Sequence, residues 1–374
     1  MKLAFYHPWL KSKGGVERLL FEYADRSVHD VDIITHHQEG TFSNYNTEPI
    51  ELSDTSMPSG FIKKGAFTGY KILLSKLNLS DYDAFLVSES GIGCLVTLRN
   101  YINPTICYCH TPLRAAHHFY HDYSQSYDFL SRQIFKIAVH SYLMLERQAW
   151  NKFDSIICNS RNTLQTVESA GLARQKPKSV IYPGVDIKKF KNSSKGDYFL
   201  YPSRFKEYKR QELAINAFKE FKKEYGGEKR LILAGFPDDK EYLKEIQALA
   251  DDDIEIKTDI NDEELVDLYA NSFAVLFTAK KEDWGIIPIE AMASGKPVIA
   301  VNEGGPTESI EDGKNGFLVD ASAEKIAMSM SKLVKNEEQY EKMSEKAVQR
   351  SKEFSWSTFT KKMDREVEKS VNQH

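Results

Sequence analysis

Two glutamates with seven residues between them form the most informative spacing in the chain. Glu282 and Glu290 are flanked by patterns that predict a strand at 273–277, a helix at 289–292 and a strand at 297–301. In a parallel α/β sheet the loop of such a unit lies at the carboxyl ends of the strands, where ligands bind. Carboxylates placed there can accept hydrogen bonds from the vicinal hydroxyls of a sugar. Taken alone, the pair is also typical of a solvated helix start that the macrodipole favours.

This segment resembles the signature of the family 4 retaining glycosyltransferases, mannosyltransferase-like enzymes of group 1, in which seven residues separate two glutamates. The resemblance extends over nearly the whole chain and implies the GT-B fold, an α/β architecture of two Rossmann-like domains that face each other across a cleft. The length of 374 residues agrees with this, because it is too long for one ordinary core and suits two domains.

The predicted domain boundaries follow changes in composition. Residues 1–186 are expected to form the acceptor-side domain and residues 187–354 the donor-binding domain, with the polar, lysine-rich segment 188–196 as the hinge. The C-terminal helix, predicted at 355–374, is expected to pack back on the first domain, as is common in GT-B proteins.

The resemblance assigns the donor to the second domain. Arg204 and Lys209 match the basic pair that neutralises the departing diphosphate, and a planar guanidinium beside an ammonium suits charge that grows on a leaving group. Glu282 is implied to position the sugar. The resemblance also implies that the backbone amides of Trp284, Gly285 and Ile286 help Glu282 to position the sugar.

Two further donor contacts are implied by the same resemblance. Glu290 would hold the ribose, and the loop at 257–261 lies where the family holds the base. The glycine-rich loop 303–306 exposes its backbone at a predicted strand end and is expected to line the phosphate side.

Two motifs in the first domain also end predicted strands. Gly14 and Gly15 follow a strand at 2–6 and open a helix, so the backbone can approach a ligand closely and the helix dipole favours a diphosphate, although such a pair is more often a simple turn. His110 follows a strand at 105–109 within a Cys-His-Thr-Pro-Leu-Arg run. The resembled members carry a similar run, in which the histidine contacts the donor sugar.

The segment after His110 is rich in aromatic residues and histidine. His117 and His121 are four residues apart and could chelate a metal if the segment were helical, but no third ligand has an obvious spacing, so an acceptor-side lid is the preferred interpretation. No metal or other resident cofactor is expected, because the GT-B fold leaves the diphosphate to basic groups and helix dipoles and the nucleoside-diphosphate sugar is a substrate. The four cysteines are interpreted as reduced, buried thiols.

Composition limits the remaining classes. A hydrophobic content of 41%, a charged content of 28% and a net charge of -4 are typical of a globular protein and argue against a nucleic-acid binder. The amino terminus enters a strand without signal-peptide features, so a cytoplasmic location is expected. Segment 61–77 interleaves aromatic residues with lysines, which is typical either of a peripheral contact with an anionic membrane or of a helix packed on its own domain.

The sequence therefore predicts a retaining glycosyltransferase that moves a hexose from a nucleoside-diphosphate sugar to a hydroxyl of a glycan or polyprenol-linked saccharide. GDP-mannose is the first donor candidate, because the His-Thr-Pro-Leu-Arg variant resembles mannosyltransferases. A GT-B nucleotide-sugar epimerase and a non-catalytic sugar-nucleotide-binding protein are the alternatives. Removal of the Glu282 carboxylate is expected to abolish transfer with little loss of stability, because a loop carboxylate adds little to packing.

Overall fold

The computed structural model divides the chain into two compact units. Unit 1 comprises Met1–Pro183 with Trp356–His374, and unit 2 comprises Gly184–Ser355. The structure describes residues 1–11, 14–40, 42–52, 61–191, 193 and 195–373, with 61–66 described by backbone alone. The predicted hinge at 188–196 belongs to unit 2, and two of its positions, 192 and 194, lie outside the described residues.

Unit 1 is built on a parallel sheet with helices on both faces. Its strands are β1 (Lys2–His7), β2 (Leu10–Lys11), β3 (Asp30–Thr35), β4 (Gln38–Glu39), β5 (Ile50–Glu51), β6 (Ala84–Glu89), β7 (Thr105–Cys109), β8 (Ser155–Cys158) and β9 (Lys178–Val180). Its helices are α1 (Gly15–Arg26), α2 (Phe61–Leu74), α3 (Tyr120–Ser126), α4 (Phe129–Trp150), α5 (Arg161–Ser169), a 3₁₀ helix at Gly93–Leu98 and the C-terminal helix Trp356–Val371.

The central strands of unit 1 are apolar on both faces. Along β1, Leu3 and Phe5 join one buried cluster, whereas Ala4 and Tyr6 join the other. This alternation follows from the two-residue period of a strand, and a strand covered on both faces needs apolar residues at every position. The C-terminal helix contributes Trp356 and other buried residues to the first of these clusters, so it packs within unit 1.

Unit 2 repeats the plan. Its strands are β10 (Tyr198–Pro202), β11 (Arg230–Ala234), β12 (Ile254–Lys257), β13 (Ala274–Phe277), β14 (Val298–Val301) and β15 (Gly316–Val319). Its helices are α6 (Gln211–Tyr225), α7 (Lys240–Leu249), α8 (Asp262–Ala270), α9 (Ile286–Ala293), α10 (Pro306–Ser309), α11 (Ala323–Lys335) and α12 (Glu337–Ser351), with 3₁₀ helices at Glu207–Lys209 and Lys352–Phe354.

Strand order places a switch point in each sheet. The order in unit 1 is β5-β3-β1-β6-β7-β8-β9, and in unit 2 it is β12-β11-β10-β13-β14-β15, with all pairs parallel. The chain therefore reverses its direction of travel between β1 and β6 and again between β10 and β13. In open α/β sheets a crevice forms at such points, beyond the carboxyl ends of the strands.

Helix α9 starts earlier than the sequence predicts. The predicted helix begins at 289, but the observed one begins at Ile286 with Gly285 as its N-cap. Pro288 lies in the first turn, where its missing N–H has no intrahelical partner to lose, so the proline does not delay the helix. Glu290 is consequently more than a turn inside α9.

Helix α2 is only partly described, and its described part packs on its own unit. Thr68 and Ile72 are buried, and Leu77 beyond the helix joins the same core, which matches the packed-helix interpretation for these positions. Tyr70 and Leu74 are exposed. The side chains of four residues on which the membrane interpretation also rests lie outside the described residues: Phe61, Ile62, Lys63 and Lys64. Within the described residues, no helix has both the length and the apolar character that a bilayer crossing requires.

Candidate functional site

The centre of the site in unit 2 is an ion pair at the switch point. Nζ of Lys209, after β10, lies 2.6 Å from Oε2 of Glu282, after β13, and the two side chains are only 9% and 17% exposed. The hydroxyls of Tyr201 and Thr278 donate to the backbone carbonyl of Lys209, which fixes the lysine loop against β13. The fold thus joins two predicted site residues that are 73 positions apart in the sequence. A solvated helix start is therefore a wrong interpretation of Glu282.

A second ion pair lies next to the first along the chain. Nη1 of Arg210 is 3.0 Å from Oε1 of Glu303, which lies two positions beyond the end of β14. Arg210 adopts φ +55°, a left-handed conformation at the N-cap of α6. The sequence analysis missed Arg210, although its position beside Lys209 was a usable signal. The two pairs together tie the loop after β10 to the loops after β13 and β14.

Two glycines hold the Glu282 loop in place. A Cβ on Gly304, at φ +66°, would lie 2.3 Å from the Glu282 carbonyl oxygen, and a Cβ on Gly305 would lie 2.4 Å from Cα of Trp284. The amide of Gly305 donates to that same carbonyl at 2.8 Å. Only glycine allows this close backbone approach. The predicted glycine-rich loop therefore acts first as a support for Glu282.

The predicted sugar-binding amides belong to a loop that is anchored by its own side chains. Trp284 is buried, with its ring centroid 5.3 Å from that of Phe354. Gly285 adopts φ +83°, and Ile286 is the first residue of α9. The amides of these residues are at a helix amino terminus, where N–H groups have no intrahelical acceptor and can bind an oxygen of a ligand.

Glu290 is buried and held by a tyrosine. The Tyr269 hydroxyl at the end of α8 donates to Oε2 of Glu290 at 2.8 Å. Burial, and secondarily the Glu290 charge, raise the pKa of Tyr269 well above its usual value, so its hydroxyl remains a donor. The carboxylate is thereby oriented before any ligand arrives. Tyr269 carries no motif, and the sequence analysis missed it.

Arg204 stands apart from these pairs. Its side chain is 58% exposed, with Nη1 3.5 Å from Oδ2 of Asp238 and Nη2 donating to the Tyr208 hydroxyl at 3.4 Å. Lys206 shares the same carboxylate at 3.3 Å. The guanidinium is therefore loosely held and can move toward a ligand at low cost.

A cavity of about 450 Å³ lies beside the loop at 257–261, where the resemblance places the base. It is lined by α8, by the first residue of β10 and by the last residue of β12 with the loop that follows, including Tyr198, Lys257, Asp259, Ile260, Glu264 and Leu268. Its size is within the usual range for small-molecule pockets.

The site in unit 1 is a hydrogen-bonded chain of three neutral side chains. Nδ1 of His7 is 3.0 Å from the Ser88 hydroxyl, which is 3.1 Å from Nε2 of His110. His7 is the last residue of β1, Ser88 the last but one of β6 and His110 the first after β7, and both rings are buried. Burial lowers the pKa of His7 to about 4 and that of His110 to about 3, so both imidazoles are uncharged at neutral pH.

The single hydroxyl proton couples the two rings. Ser88 can donate to only one imidazole, and when it does, the other ring must donate to Ser88. In that arrangement the tautomer of His110 is set by that of His7. His7 and Ser88 were missed by the sequence analysis, although their positions at strand ends beside predicted His110 were a usable signal.

The predicted glycine pair opens α1 as expected. Gly14 is the N-cap, and a Cβ there would lie 1.8 Å from Oε2 of Glu17, whereas no atom would lie within 4 Å of a Cβ on Gly15. The space beside Gly15 is therefore open to a ligand. A small cavity of about 120 Å³, lined by His7, Trp9, Val16 and Glu17 among others, lies beside this helix start.

The histidine pair after His110 is not a chelating pair. Nε2 of His117 lies 3.0 Å from Oε2 of the buried Glu146 on α4, and His121 lies on α3 with its Nε2 2.7 Å from Gln125. His117 precedes α3, so the helical spacing that the metal alternative assumed is wrong. Among the described residues, no group of three or more potential ligands is arranged to hold a metal ion.

Two family models match the chain in succession. The model described as Glycosyltransferase Family 4 matches residues 13–189, and the model described as Glycosyl transferases group 1 matches residues 185–350. The chain belongs to the group 1 glycosyltransferases. The predicted family and enzyme class are thereby confirmed, and the epimerase and non-catalytic alternatives are not favoured.

This glycosyltransferase also matches curated relatives over most of its length. It is 24% identical to alpha-1,3/1,6-mannosyltransferase ALG2 of Dictyostelium discoideum, over 99% of this chain and 98% of that protein. It is 26% identical to ALG2 of Saccharomyces cerevisiae, over 83% of this chain and 71% of that protein.

Solved structures confirm the predicted GT-B fold. The chain matches sucrose-phosphate synthase from Thermosynechococcus elongatus with a TM-score of 0.78 and 17% identity, covering both chains fully. It matches Anabaena HepE, solved in complex with UDP and glucose, with a TM-score of 0.73 and 19% identity over 98% of this chain and 99% of that one.

Proposed function

We propose that this glycosyltransferase moves mannose from GDP-mannose to a hydroxyl of a glycan or polyprenol-linked saccharide, with retention of the anomeric configuration. The reaction breaks the bond between the anomeric carbon and the diphosphate, forms a bond to the acceptor oxygen and releases GDP and a proton. The observation that carries the proposal is the Lys209–Glu282 pair at the switch point of unit 2. The full-length similarity to ALG2 mannosyltransferases supports the choice of mannose.

The leaving diphosphate is assigned to basic side chains. An ammonium has three donors, so Lys209 can keep its contact with Glu282 while it donates to a phosphate oxygen. Arg204, exposed and loosely paired with Asp238, supplies a second cation that moves in with the donor. Because both charges oppose negative charge that increases as the bond breaks, they stabilise the transition state more than the bound substrate. The open backbone at Gly15 is assigned to the same diphosphate.

The sugar, ribose and base are assigned to neighbouring groups. Glu282 accepts hydrogen bonds from the sugar hydroxyls, and the backbone amides at 284–286 donate hydrogen bonds to them. Glu290, oriented by Tyr269, accepts from the ribose hydroxyls. The base occupies the cavity beside the loop at 257–261.

His110 of unit 1 is assigned to the donor sugar. A neutral imidazole can donate to or accept from a sugar hydroxyl without placing a net charge beside the reacting centre. No divalent cation is assigned a role, since Lys209 and Arg204 provide the positive charge that the diphosphate requires. Turnover that is unchanged by EDTA would support this assignment.

A panel of sugar nucleotides tests the proposal. The protein is incubated with GDP-mannose, UDP-glucose, UDP-galactose and UDP-N-acetylglucosamine, each with and without a polyprenol-diphosphate-linked saccharide, and free nucleoside diphosphate is measured. Release of GDP from GDP-mannose that increases with the acceptor, and an α-configured product by NMR, is the expected result. Equal release from a UDP-sugar would overturn the choice of donor, and an inverted product would overturn the stereochemistry.

A further inference from the structure

Helix α4 carries an exposed apolar stripe. Five large apolar side chains between its first residue and Met144 are 52 to 77% exposed, which is unusual on one helix of a folded unit. We call them the α4 stripe: Phe129, Leu130, Ile134, Ile137 and Met144. From Leu130 onward they follow helical spacing of four, three and seven residues, so they share one face over about 21 Å at 1.5 Å per residue.

The charges of α4 are of one sign. Lys136 and Arg147 are exposed, and at about 100° per residue they lie together along one flank of the stripe, beside the exposed ring of His140. The 22 residues of α4 contain a single acidic side chain, Glu146, which is buried on the opposite side of the helix. Asp128 precedes α4 and accepts from the amides of Leu130 and Ser131 as its N-cap. The exposed surface of α4 is therefore apolar with a basic border.

The buried face of α4 connects this surface to the site in unit 1. Ala115 and Ala116, in the segment that follows His110, pack against Phe135 and Val139 of α4. The Tyr142 hydroxyl lies within hydrogen-bond distance of the Gly91 carbonyl and of Oε1 of Glu146, which also contacts His117. Whatever contacts the outer face of α4 is thus one helix thickness away from the acceptor-side segment.

We propose that the α4 stripe docks on an anionic lipid surface, with its apolar side chains in the interface and its basic flank on the lipid phosphates. This inference rests on the proposed function, since a polyprenol-linked acceptor lies in a membrane. Apolar residues beside Lys and Arg on one helix are the pattern of interfacial helices that lie in the plane of a membrane. A second copy of the chain is a poorer occupant, because a symmetric pairing of the stripe would bring like-charged flanks together.

Helix α2 offers a smaller neighbouring contribution. Both α2 and α4 pack against the 3₁₀ helix at Gly93–Leu98, and the guanidinium of Arg99 donates to the carbonyl of Leu74 at the end of α2. Among the described side chains of α2, the exposed Tyr70 and Leu74 do not form a continuous stripe like that of α4. We therefore assign the main lipid contact to α4, and the contact predicted for segment 61–77 stays a prediction.

Vesicle sedimentation tests the proposal with matched variants. Wild type, the stripe variant (Leu130→Ser, Ile134→Ser, Ile137→Ser) and a control variant (Val28→Ser, Met328→Ser, Val334→Ser) are mixed with vesicles of phosphatidylcholine alone or with phosphatidylglycerol. The control removes three exposed apolar side chains from other surfaces. Wild type and control should sediment with the anionic vesicles at low salt, and the stripe variant should partition at least about tenfold less. A Lys136→Gln, Arg147→Gln variant should lose most of its salt-sensitive binding.

Two further measurements separate the outcomes. Circular dichroism and GDP release from GDP-mannose in detergent solution check that the stripe variant keeps its fold and its donor site. Vesicle binding as expected together with no sugar transfer would support the lipid surface and count against the proposed function alone. Absence of wild-type sedimentation, equal sedimentation of the stripe variant, or a wild-type dimer that the stripe variant converts to monomer without any vesicle binding would each overturn the proposal.

Discussion

The switch points of the two units are alike in topology and opposite in electrostatics. In unit 2 the strand ends carry permanent charges that are paired with each other, as Lys209 is with Glu282 and Arg210 with Glu303. In unit 1 the strand ends carry His7, Ser88 and His110, which are buried and uncharged. Equivalent positions in the two sheets thus support two kinds of chemistry.

The difference follows from what burial does to each group. Burial of an ammonium is costly unless a carboxylate lies beside it, and Glu282 meets that requirement for Lys209. Burial of an imidazole is tolerated because the ring gives up its proton instead, which is why the pKa of each histidine falls. A site for a leaving diphosphate needs the first arrangement, and a site that contacts neutral hydroxyls is served by the second.

The largest expected effect comes from breaking the charged pair. Replacement of Glu282 by alanine should abolish transfer and also destabilise the protein, by about 1–3 kcal/mol, because Lys209 is left buried without its partner. The structure corrects the sequence-based expectation of unchanged stability, since the pair is mostly buried. Urea unfolding and GDP-mannose turnover are the measurements.

An exposed pair provides the control for this prediction. Lys314 lies 2.8 Å from Glu311, but both side chains are largely in water. Lys314→Ala should leave turnover and unfolding unchanged, because exposed pairs contribute little. If Glu282→Ala unfolds like wild type, the lysine is solvated in solution and the contrast between the two units is weaker than proposed.

A smaller loss of activity is expected at Arg204. Arg204→Gln should reduce turnover by a factor on the order of a hundred, because it removes charge that opposes the leaving group, while stability stays the same because the side chain is exposed. GDP binding by calorimetry should weaken in parallel. Lys206→Gln is the matched control, since Lys206 shares Asp238 but has no assigned role. Equal losses in the two variants would reduce the role of Arg204 to general surface charge.

The charged site was largely predictable from the sequence, whereas only His110 of the neutral site was predicted. Glu282, Lys209 and Arg204 belong to a recognisable spacing, and their strand-end positions follow from apolar runs that end in turns. The support that makes the site work was not visible in this way. Tyr269 meets Glu290 only because the fold brings the end of α8 within hydrogen-bond distance of Glu290 on α9, and that contact has no sequence periodicity.

The hydrogen-bonded residues of the neutral site were even harder to predict from the sequence. His7, Ser88 and His110 come from three strands, and their contacts depend on the parallel register that aligns the ends of β1, β6 and β7. A single sequence predicts each strand end separately but not which ends are neighbours. The sequence also does not show which side chains of α4 are exposed to solvent. Its spacing predicts an amphipathic helix but not that part of the apolar surface stays uncovered.

The buried, uncharged histidines His7 and His110 predict a pH dependence of stability. A histidine whose pKa falls from about 6.5 to about 4 or 3 on folding stabilises the native state above pH 6.5, and this contribution is lost as the pH falls toward the folded-state value. Between pH 6.5 and 5 each imidazole should reduce the unfolding free energy by about 2 kcal/mol. The His7→Gln, His110→Gln variant should therefore lose stability less steeply than wild type over this range, measured by urea unfolding at pH 7, 6 and 5.

An exposed histidine is the control for the pH experiment. His121→Gln removes a ring on the surface of α3 and should retain the wild-type slope. A double variant with the same slope as wild type would mean that both rings are already open to water in solution. That result would remove the electrostatic contrast on which the comparison of the two units rests.

The smallest expected effect is at Tyr269, which orients a charged group without touching the reacting atoms. Loss of its hydroxyl in Tyr269→Phe removes one donor from Glu290, a change of about 0.5–1.5 kcal/mol, which corresponds to a rise of about two- to tenfold in the KM for the donor. Turnover at saturation should stay near wild type, because the ribose is bound equally in the ground state and the transition state. Tyr340→Phe is the matched control, since its buried hydroxyl donates to the Phe273 carbonyl at 2.8 Å, so its loss should affect stability alone. A fall in kcat without a rise in KM in Tyr269→Phe would place Glu290 at the reacting sugar instead of the ribose.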